Sequence, residues 1–117
     1  MKLTPSDFGG ALAVEGYGPG FFRVAGTVYH GAVLVSASEA QIWGGLADHS
    51  ALLALSGRID VLFLGMGADV AHAPADLAAA LREAGIAVEP MASPTAARSY
   101  NVTVAEGRRV ACALLPL

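Results

Sequence analysis

Hydrophobic residues in this chain occur in short unbroken runs, and glycine residues separate many of these runs. The run from Val61 to Gly65 contains only apolar residues and one glycine, without alternating polar positions. Such a run is typical of a strand that is covered on both faces of a sheet. The chain leaves this strand through a glycine loop, which we define as Gly65, Met66 and Gly67. We therefore predict that the sheet is organised around this strand, with Leu64 buried at its centre.

A helix and another strand are predicted after the glycine loop. Pro74 suits the first turn of a helix because it has no N–H to satisfy. Leu77, Leu81 and Ala84 follow at the spacing of one helical face. Residues 86–88 then form a short apolar strand. Two parallel strands joined by a helix make a βαβ unit, which has a right-handed crossover in nearly all proteins.

A last helix and a last strand complete the predicted sheet. Ser93 can cap a helix N-terminus with its hydroxyl, and Pro94 suits the next position. We expect this helix to extend to about Glu106. Residues 110–115 form a final apolar strand. The helix positions expected to face the sheet are Ala97, Tyr100 and Val104.

The first third of the chain is rich in turn residues. Nine of the 14 glycines lie at or before Gly45, which favours short strands and tight turns. Most aromatic residues lie here as well, either as a second small core or as an exposed patch for a partner. Asp48 or Ser50 is expected to cap a short helix that ends at Gly57. Strands are predicted over residues 12–14, 21–24, 27–29, 32–35 and 41–43. The third and fourth of these are either separate or one strand bent at residue 31. Turns are predicted over residues 16–20 and 25–26.

Composition places the chain among single-domain globular proteins. It has 117 residues, of which 55% are hydrophobic and 15% are charged. This composition excludes a disordered chain. The charged fraction is below the roughly 25% that is usual, so either much of the chain is buried or a partner covers part of its surface. We predict one domain over residues 1–117, and the net charge of -3 gives no electrostatic reason to bind nucleic acid.

The cellular location is predicted from cysteine use and from the lack of long apolar segments. Cys112 is the only cysteine, so no intrachain disulfide forms and a reducing compartment is expected. No run of about 18 apolar residues occurs, so we expect no membrane insertion. Residues 3–10 have no apolar segment of the kind found in a signal peptide. The expected location is therefore the cytoplasm.

The glycine loop is the first candidate binding site, because ligands in open α/β folds bind beyond the carboxyl ends of the strands. A dinucleotide fingerprint needs a third glycine where Val70 stands. Glu89 lies roughly where a ribose-binding acid would be, but Pro74 puts the helix start too late to hold a pyrophosphate. The loop is thus either an anion-tolerant site or a tight exit from a crowded strand.

Arg98, Tyr100 and Asn101 form the second candidate binding cluster. Arg98 and Asn101 share one helix face, and a guanidinium with a carboxamide can hold an anion or a carboxylate over the glycine loop. The structural alternative is that Arg98 pairs with a carboxylate and Asn101 bonds to loop backbone. The candidate binding residues are therefore Gly65, Met66, Gly67, Arg98, Tyr100 and Asn101.

The sequence contains no constellation for catalysis or metal binding. Its three histidines are scattered without ligand spacing, so we expect no metal site and no cofactor. His72 follows the central strand as a candidate general base, but no residue to orient it can be named. Cys112 lies in an apolar strand without an adjacent base, which favours a buried, unreactive thiol. Arg108 and Arg109 are interpreted as a solvated turn pair, and catalytic residues are unassigned.

Five stretches of the chain carry a family resemblance, together with Gly26 and Tyr29. They are GFFRV at residues 20–24, LGMG at 64–67, GIAVEPM at 85–91, ARSYNV at 97–102 and EGRRVA at 106–111. The chain resembles the domain-of-unknown-function family that includes mitochondrial NADH dehydrogenase assembly factor 3 and the human adipogenesis-associated domain protein. The resemblance covers nearly the whole chain and is most specific over residues 98–110.

The resemblance implies a three-layer α/β fold. Its parts are a central mixed five-stranded sheet with one antiparallel strand, flanking helices, and a smaller β layer from the N-terminal third. We assign the antiparallel strand to residues 110–115. The resemblance implies no established enzymatic activity. The mitochondrial member of the family assists the assembly of respiratory complex I. Since no transit peptide is recognised, we expect a bacterial, single-domain relative.

Two functional hypotheses of different classes follow. The first is a non-catalytic protein-interaction or assembly factor, which by resemblance aids the assembly of respiratory complex I or of membrane proteins. It implies a protein partner, with a homo-oligomer as an open possibility. The second is a small-molecule or anion-binding protein, or an enzyme, with its site at the glycine loop.

Overall fold

The computed structural model describes residues 10–117. Eight strands and three helices occur in this part of the chain. The elements are β1 (Val14–Gly18), β2 (Phe21–Val24), β3 (Thr27–His30), β4 (Val33–Ser36), β5 (Ala40–Ile42), α1 (His49–Leu53), β6 (Val61–Gly65), α2 (Ala75–Glu83), β7 (Ala87–Met91), α3 (Ser93–Ala105) and β8 (Val110–Leu114).

The strands form a five-stranded mixed sheet and a three-stranded antiparallel sheet. The order in the larger sheet is β5-β4-β8-β6-β7, and the order in the smaller sheet is β1-β2-β3. Two apolar cores lie on opposite faces of the larger sheet. Helices α1 and α2 cover one face, and α3 covers the other together with the smaller sheet. The predicted three-layer α/β fold with a smaller N-terminal β layer is confirmed.

Strand β6 is covered on both faces, as its unbroken apolar run predicts. Leu62 and Leu64 belong to the core under α1 and α2, whereas Phe63 belongs to the core under α3. Leu64 has no exposed surface. The βαβ unit is also present, because β6 and β7 pair in parallel and α2 connects them. Leu77 and Leu81 of α2 are fully buried, as their spacing indicates.

The centre of the sheet and its antiparallel strand differ from the predictions. The middle strand is β8, which lies between β4 and β6. Strand β8 is parallel to β6 and antiparallel to β4, and β4 is antiparallel to both of its neighbours. The assignment of the antiparallel strand to residues 110–115 is therefore wrong, since β4 is that strand. Helix α3 returns the chain across the sheet and makes β8 parallel to β7, whereas a short hairpin turn between β4 and β5 forces antiparallel pairing.

The three-stranded sheet is a meander with one tight turn. Ala25 and Gly26 form the predicted turn between β2 and β3, and both have positive φ, at 49° and 80°. The side chains of Phe22 and Val24 are buried and Arg23 is exposed, as alternation predicts. Strand β1 extends to Gly18, so the strand predicted over residues 12–14 begins too early and the turn predicted over residues 16–20 is too long. Phe22 and Trp43 are buried, but Phe22 belongs to the core under α3 and Trp43 to the core under α1 and α2, so these two aromatic residues do not form one separate small core.

Asp48 caps helix α1, since its side chain accepts a hydrogen bond from the N–H of Ala51.

No helix in the described part of the chain is long and apolar enough to cross a bilayer. The predicted domain span and the predicted lack of a signal peptide include residues 1–9, which lie outside the described residues.

Candidate functional site

The glycine loop lies at the carboxyl end of β6, and its amide groups are bonded within the protein. The N–H of Met66 donates to the carbonyl of Met91 at 2.7 Å. The N–H of Gly67 donates to the Oγ of Ser93 at 2.9 Å. Buried amides normally have such partners. The two amides that could have faced a ligand are therefore occupied.

Ser93 closes this loop instead of capping α3. Its hydroxyl accepts from Gly67 and donates to the carbonyl of Leu115 at 2.7 Å, and the residue has no exposed surface. The N-cap of α3 is Ala92, which makes no side-chain cap bond. The predicted capping role of Ser93 is wrong because the hydroxyl satisfies two backbone groups of neighbouring segments.

Close packing explains the glycine at the start of the loop, and backbone conformation explains the glycine at its end. A Cβ on Gly65 would lie 2.6 Å from the Oγ of Ser93 and 2.8 Å from the Cδ2 of Leu114. Gly67 has a φ of 84°, which favours glycine. These contacts support the interpretation of the loop as a tight exit from a crowded strand, and ligand binding there stays a prediction.

Tyr100 and Asn101 attach α3 to the N-terminal β layer. The side-chain oxygen of Asn101 accepts from the N–H of Val14 at 2.9 Å, and its amide donates to the carbonyl of Val14 at 2.8 Å. The hydroxyl of Tyr100 donates to the carbonyl of Leu12 at 2.7 Å. Burial raises the pKa of Tyr100, and the nearby Cys112 adds to this effect. Asn101 thus bonds to backbone, as the structural alternative proposed, but to β1 and not to the glycine loop.

Arg98 is exposed on α3, one turn before Asn101. Both residues line a shallow cleft of about 160 Å³ between α3 and β1, together with Glu15 and Tyr17. Within the described residues no ion pair involves Arg98, so the expected carboxylate partner is not found. The glycine loop does not line this cleft. The six predicted binding residues therefore fall into three places: the glycine loop, the buried Tyr100, and the cleft.

The remaining reactive side chains are dispersed. His30 and His72 are exposed, and the Nε2 of His49 lies 4.0 Å from a carboxylate oxygen of Asp76. No group of three His, Cys, Asp or Glu residues suited to a metal ion occurs between residues 10 and 117. Cys112 is fully buried, as predicted, and burial raises the pKa of its thiol.

A larger pocket, of about 360 Å³, lies at the opposite end of β6 and β8 from the glycine loop. We call it the arginine pocket, because Arg58, Arg108 and Arg109 line it. This site could not be predicted from the sequence, since Arg58 is far from the other two arginines along the chain and no local motif connects them. The other residues that matter for its chemistry are two serines, Ser36 and Ser38, and four apolar residues, Leu55, Ile59, Val104 and Val110.

The chain matches a known protein family along most of its length. A family described as protein of unknown function, DUF498/DUF598, matches residues 14–115. The chain belongs to the DUF498 family. An uncharacterized protein of Rhodobacter capsulatus is 53% identical over 117 residues, with 100% of this chain and 94% of that protein covered. NADH dehydrogenase [ubiquinone] 1 alpha subcomplex assembly factor 3 of Danio rerio is 30% identical over 124 residues, covering 99% of this chain and 71% of that protein. The predicted family resemblance is confirmed.

Solved structures of other proteins have the same fold. The crystal structure of an outer membrane protein from Bartonella henselae has a TM-score of 0.82 at 31% identity and covers 93% of this chain and 98% of its own. The solution structure of a Bordetella pertussis protein, a Mth938-like domain, has a TM-score of 0.77 at 26% identity, with 99% and 92% covered. This DUF498 chain therefore has a Mth938-like fold.

Proposed function

We propose that this DUF498 protein is a non-catalytic assembly factor that acts by binding a protein partner, and that it aids the assembly of respiratory complex I. The observation that carries the proposal is the 30% identity to an assembly factor 3 protein along 99% of the chain. The site geometry supports it, because Tyr100, Asn101 and Ser93 all bond to backbone of their own chain. A cytoplasmic location is part of the proposal and rests on the single, buried Cys112.

The outer edge of β3 supports the binding of a protein partner. Strand β3 pairs only with β2 in the described sheet. Gly31 donates to the carbonyl of Gly20 at 2.9 Å, and this register points the N–H and C=O of Val28 and His30 away from β2. The side chain of Val28 is 41% exposed, and β3 carries none of the charged residues or prolines that commonly protect a strand edge. An extended segment of a partner, or β3 of a second copy, fits such an edge.

Deleting the gene in the native host tests the assembly role. We expect less assembled complex I on native gels and lower NADH oxidation by membranes, with both restored by the wild-type gene. In the deletion strain, a gene carrying Val28→Pro should restore the assembly of complex I poorly, because the change removes an outward N–H that the pairing with β2 does not use. A gene carrying Val28→Thr keeps that N–H and should restore assembly fully. Normal amounts of assembled complex in the deletion strain would refute the proposal.

The alternative, an anion or small-molecule site at the glycine loop, has less support from the geometry. The amides of Met66 and Gly67 already have partners, and Ser93 and Leu114 occupy the space beside Gly65. A thermal-shift measurement with phosphate tests it, because a ligand at 100 times its dissociation constant adds roughly 2.7 kcal/mol of stability. A shift that disappears in Gly67→Ala but persists in Arg98→Ala and Arg108→Ala would favour this alternative over the assembly role, because neither arginine lies at the glycine loop.

A further inference from the structure

Three of the seven basic residues of the chain converge on the arginine pocket, although the net charge of the protein is -3. Arg58 comes from the segment between α1 and β6, and Arg108 and Arg109 come from the turn between α3 and β8. Guanidinium groups gathered around a concave surface create a local positive potential there. We propose that the arginine pocket binds a small anionic ligand, in which a carboxylate or phosphate is attached to a compact apolar body.

The arginine side chains keep most of their donors for a ligand. Arg58 uses one terminal nitrogen to bond Glu39 at 3.1 Å, and Arg109 uses one to bond Asp60 at 3.3 Å. A guanidinium has five N–H donors, and exposed ion pairs such as these contribute little stability. Arg108 makes no ion pair with any residue from 10 to 117. A ligand anion can therefore engage Arg108 first and then the free donors of the other two.

The wall and floor of the pocket suit a ligand with a polar end and an apolar body. Ser36 lines the pocket and is only 8% exposed, yet its hydroxyl has a single long contact, 3.5 Å to the carbonyl of Glu39. A contact of this length is at the limit of a hydrogen bond, so the hydroxyl retains capacity for a ligand. The other buried residues of the lining are apolar, namely Leu55, Ile59, Val104 and Val110.

The shape and charge of the pocket favour a small molecule over a polyanion. Its volume of about 360 Å³ is at the lower end of the range for small-molecule sites. No acidic side chain is among the described residues that line it. Arg23, Arg82 and Arg98 lie on β2, α2 and α3 and do not line the pocket, so the arginines of residues 10–117 form no continuous basic track of the kind that nucleic acid needs.

Titration of the isotope-labelled protein by NMR tests the proposal directly. The probes are hexanoate and inorganic phosphate, with hexan-1-ol as a neutral control that has the same apolar body. We expect saturable shifts of the backbone amides of residues 36–38, 58–59 and 107–110 with at least one anion and none with hexan-1-ol. Hexanoate should bind more tightly than inorganic phosphate, because only hexanoate has the apolar body that the proposal requires.

Matched arginine variants complete the test. Arg108→Ala should weaken binding of the anion about tenfold, because it removes charge-assisted hydrogen bonds. Arg82→Ala removes the same charge from the exposed surface of α2 and should leave binding unchanged. Arg58→Gln provides a second variant should Arg108→Ala fold poorly. The absence of saturable shifts, equal shifts with hexan-1-ol, or equal binding by wild type and both pocket variants would overturn the proposal without affecting the assembly role.

Discussion

The backbone N–H of Gly67 donates a hydrogen bond of 2.9 Å to the Oγ of Ser93. The same hydroxyl donates to the carbonyl of Leu115 at 2.7 Å. One buried side chain thereby connects the loop after β6, the first residue of α3 and the residue that follows β8. The glycine loop, which the sequence suggests as a ligand site, is therefore bonded to other segments of the same chain at this point.

Replacing Ser93 with alanine should destabilise the protein. The change leaves the buried N–H of Gly67 and the part-buried carbonyl of Leu115 without this partner, which costs about 1–3 kcal/mol. Urea unfolding measures the loss. Ser38→Ala, at an exposed position without a described side-chain bond, is the control and should change stability by less than about 0.5 kcal/mol. Equal losses in the two variants would contradict the bridging role.

Replacing Gly65 with alanine should also destabilise the protein, through overpacking. The added Cβ would meet the Oγ of Ser93 at 2.6 Å and the Cδ2 of Leu114 at 2.8 Å, so we expect a loss of about 1–3 kcal/mol. Gly16→Ala is the matched control, since a Cβ there meets no atom within 4 Å. Thermal unfolding should separate the two variants. If Gly65→Ala is as stable as Gly16→Ala, the loop is not closely packed.

Leu64→Ala tests whether β6 is part of the central core. Leu64 is fully buried between the sheet and the helices, so the loss of unfolding free energy should be about 2–5 kcal/mol. Leu53→Ala, at a leucine that is 36% exposed, should cost much less. A loss below about 1 kcal/mol for Leu64→Ala would mean that this strand is peripheral to the core.

Asn101 and Arg98 should behave independently. Asn101→Ala removes two hydrogen bonds to Val14 and should cost about 1–3 kcal/mol, whereas Arg98→Ala should stay within about 0.5 kcal/mol. Because the two side chains share no described partner, the double mutant should be additive. A double-mutant cycle by urea unfolding measures their coupling energy. Coupling well above about 0.5 kcal/mol would restore the hypothesis of one shared network.

The thiol of Cys112 should make stability decrease at alkaline pH. Burial raises its pKa above the usual 9.0, so the folded state keeps this proton to a higher pH than the unfolded state. Above the pKa of the thiol in the unfolded state, the unfolded state binds fewer protons than the folded state. The free energy of unfolding therefore falls as pH rises. The contribution of one such group approaches about 1.4 kcal/mol per pH unit.

Urea unfolding with reductant between about pH 8 and pH 10 measures this slope. Cys112→Ala should give a shallower slope, with a remainder from Tyr100, whose pKa is also raised by burial. Identical slopes for wild type and Cys112→Ala would show that the thiol ionises equally in both states.

The features that depend on nearby residues could be predicted from the sequence. The apolar run of β6 indicated a strand covered on both faces, and the spacing of Leu77 and Leu81 indicated the buried face of α2. Ala25 and Gly26 marked the tight turn, and the stretches around Arg98 indicated the family. These signals are local, because strand alternation, helical periodicity and turn conformation are properties of a few consecutive residues.

The three-dimensional structure was needed to show which distant segments meet. It placed β8 at the centre of the sheet, made β4 the antiparallel strand, and turned Ser93 from a predicted helix cap into a bridge between Gly67 and Leu115. It also bonded Asn101 to Val14 and brought Arg58 beside Arg108 around one pocket. Strand order and side-chain partners depend on packing between segments that are far apart in the chain. Each buried polar group needs a partner from the segment that lies beside it. A pattern of neighbouring residues does not indicate which segment that is.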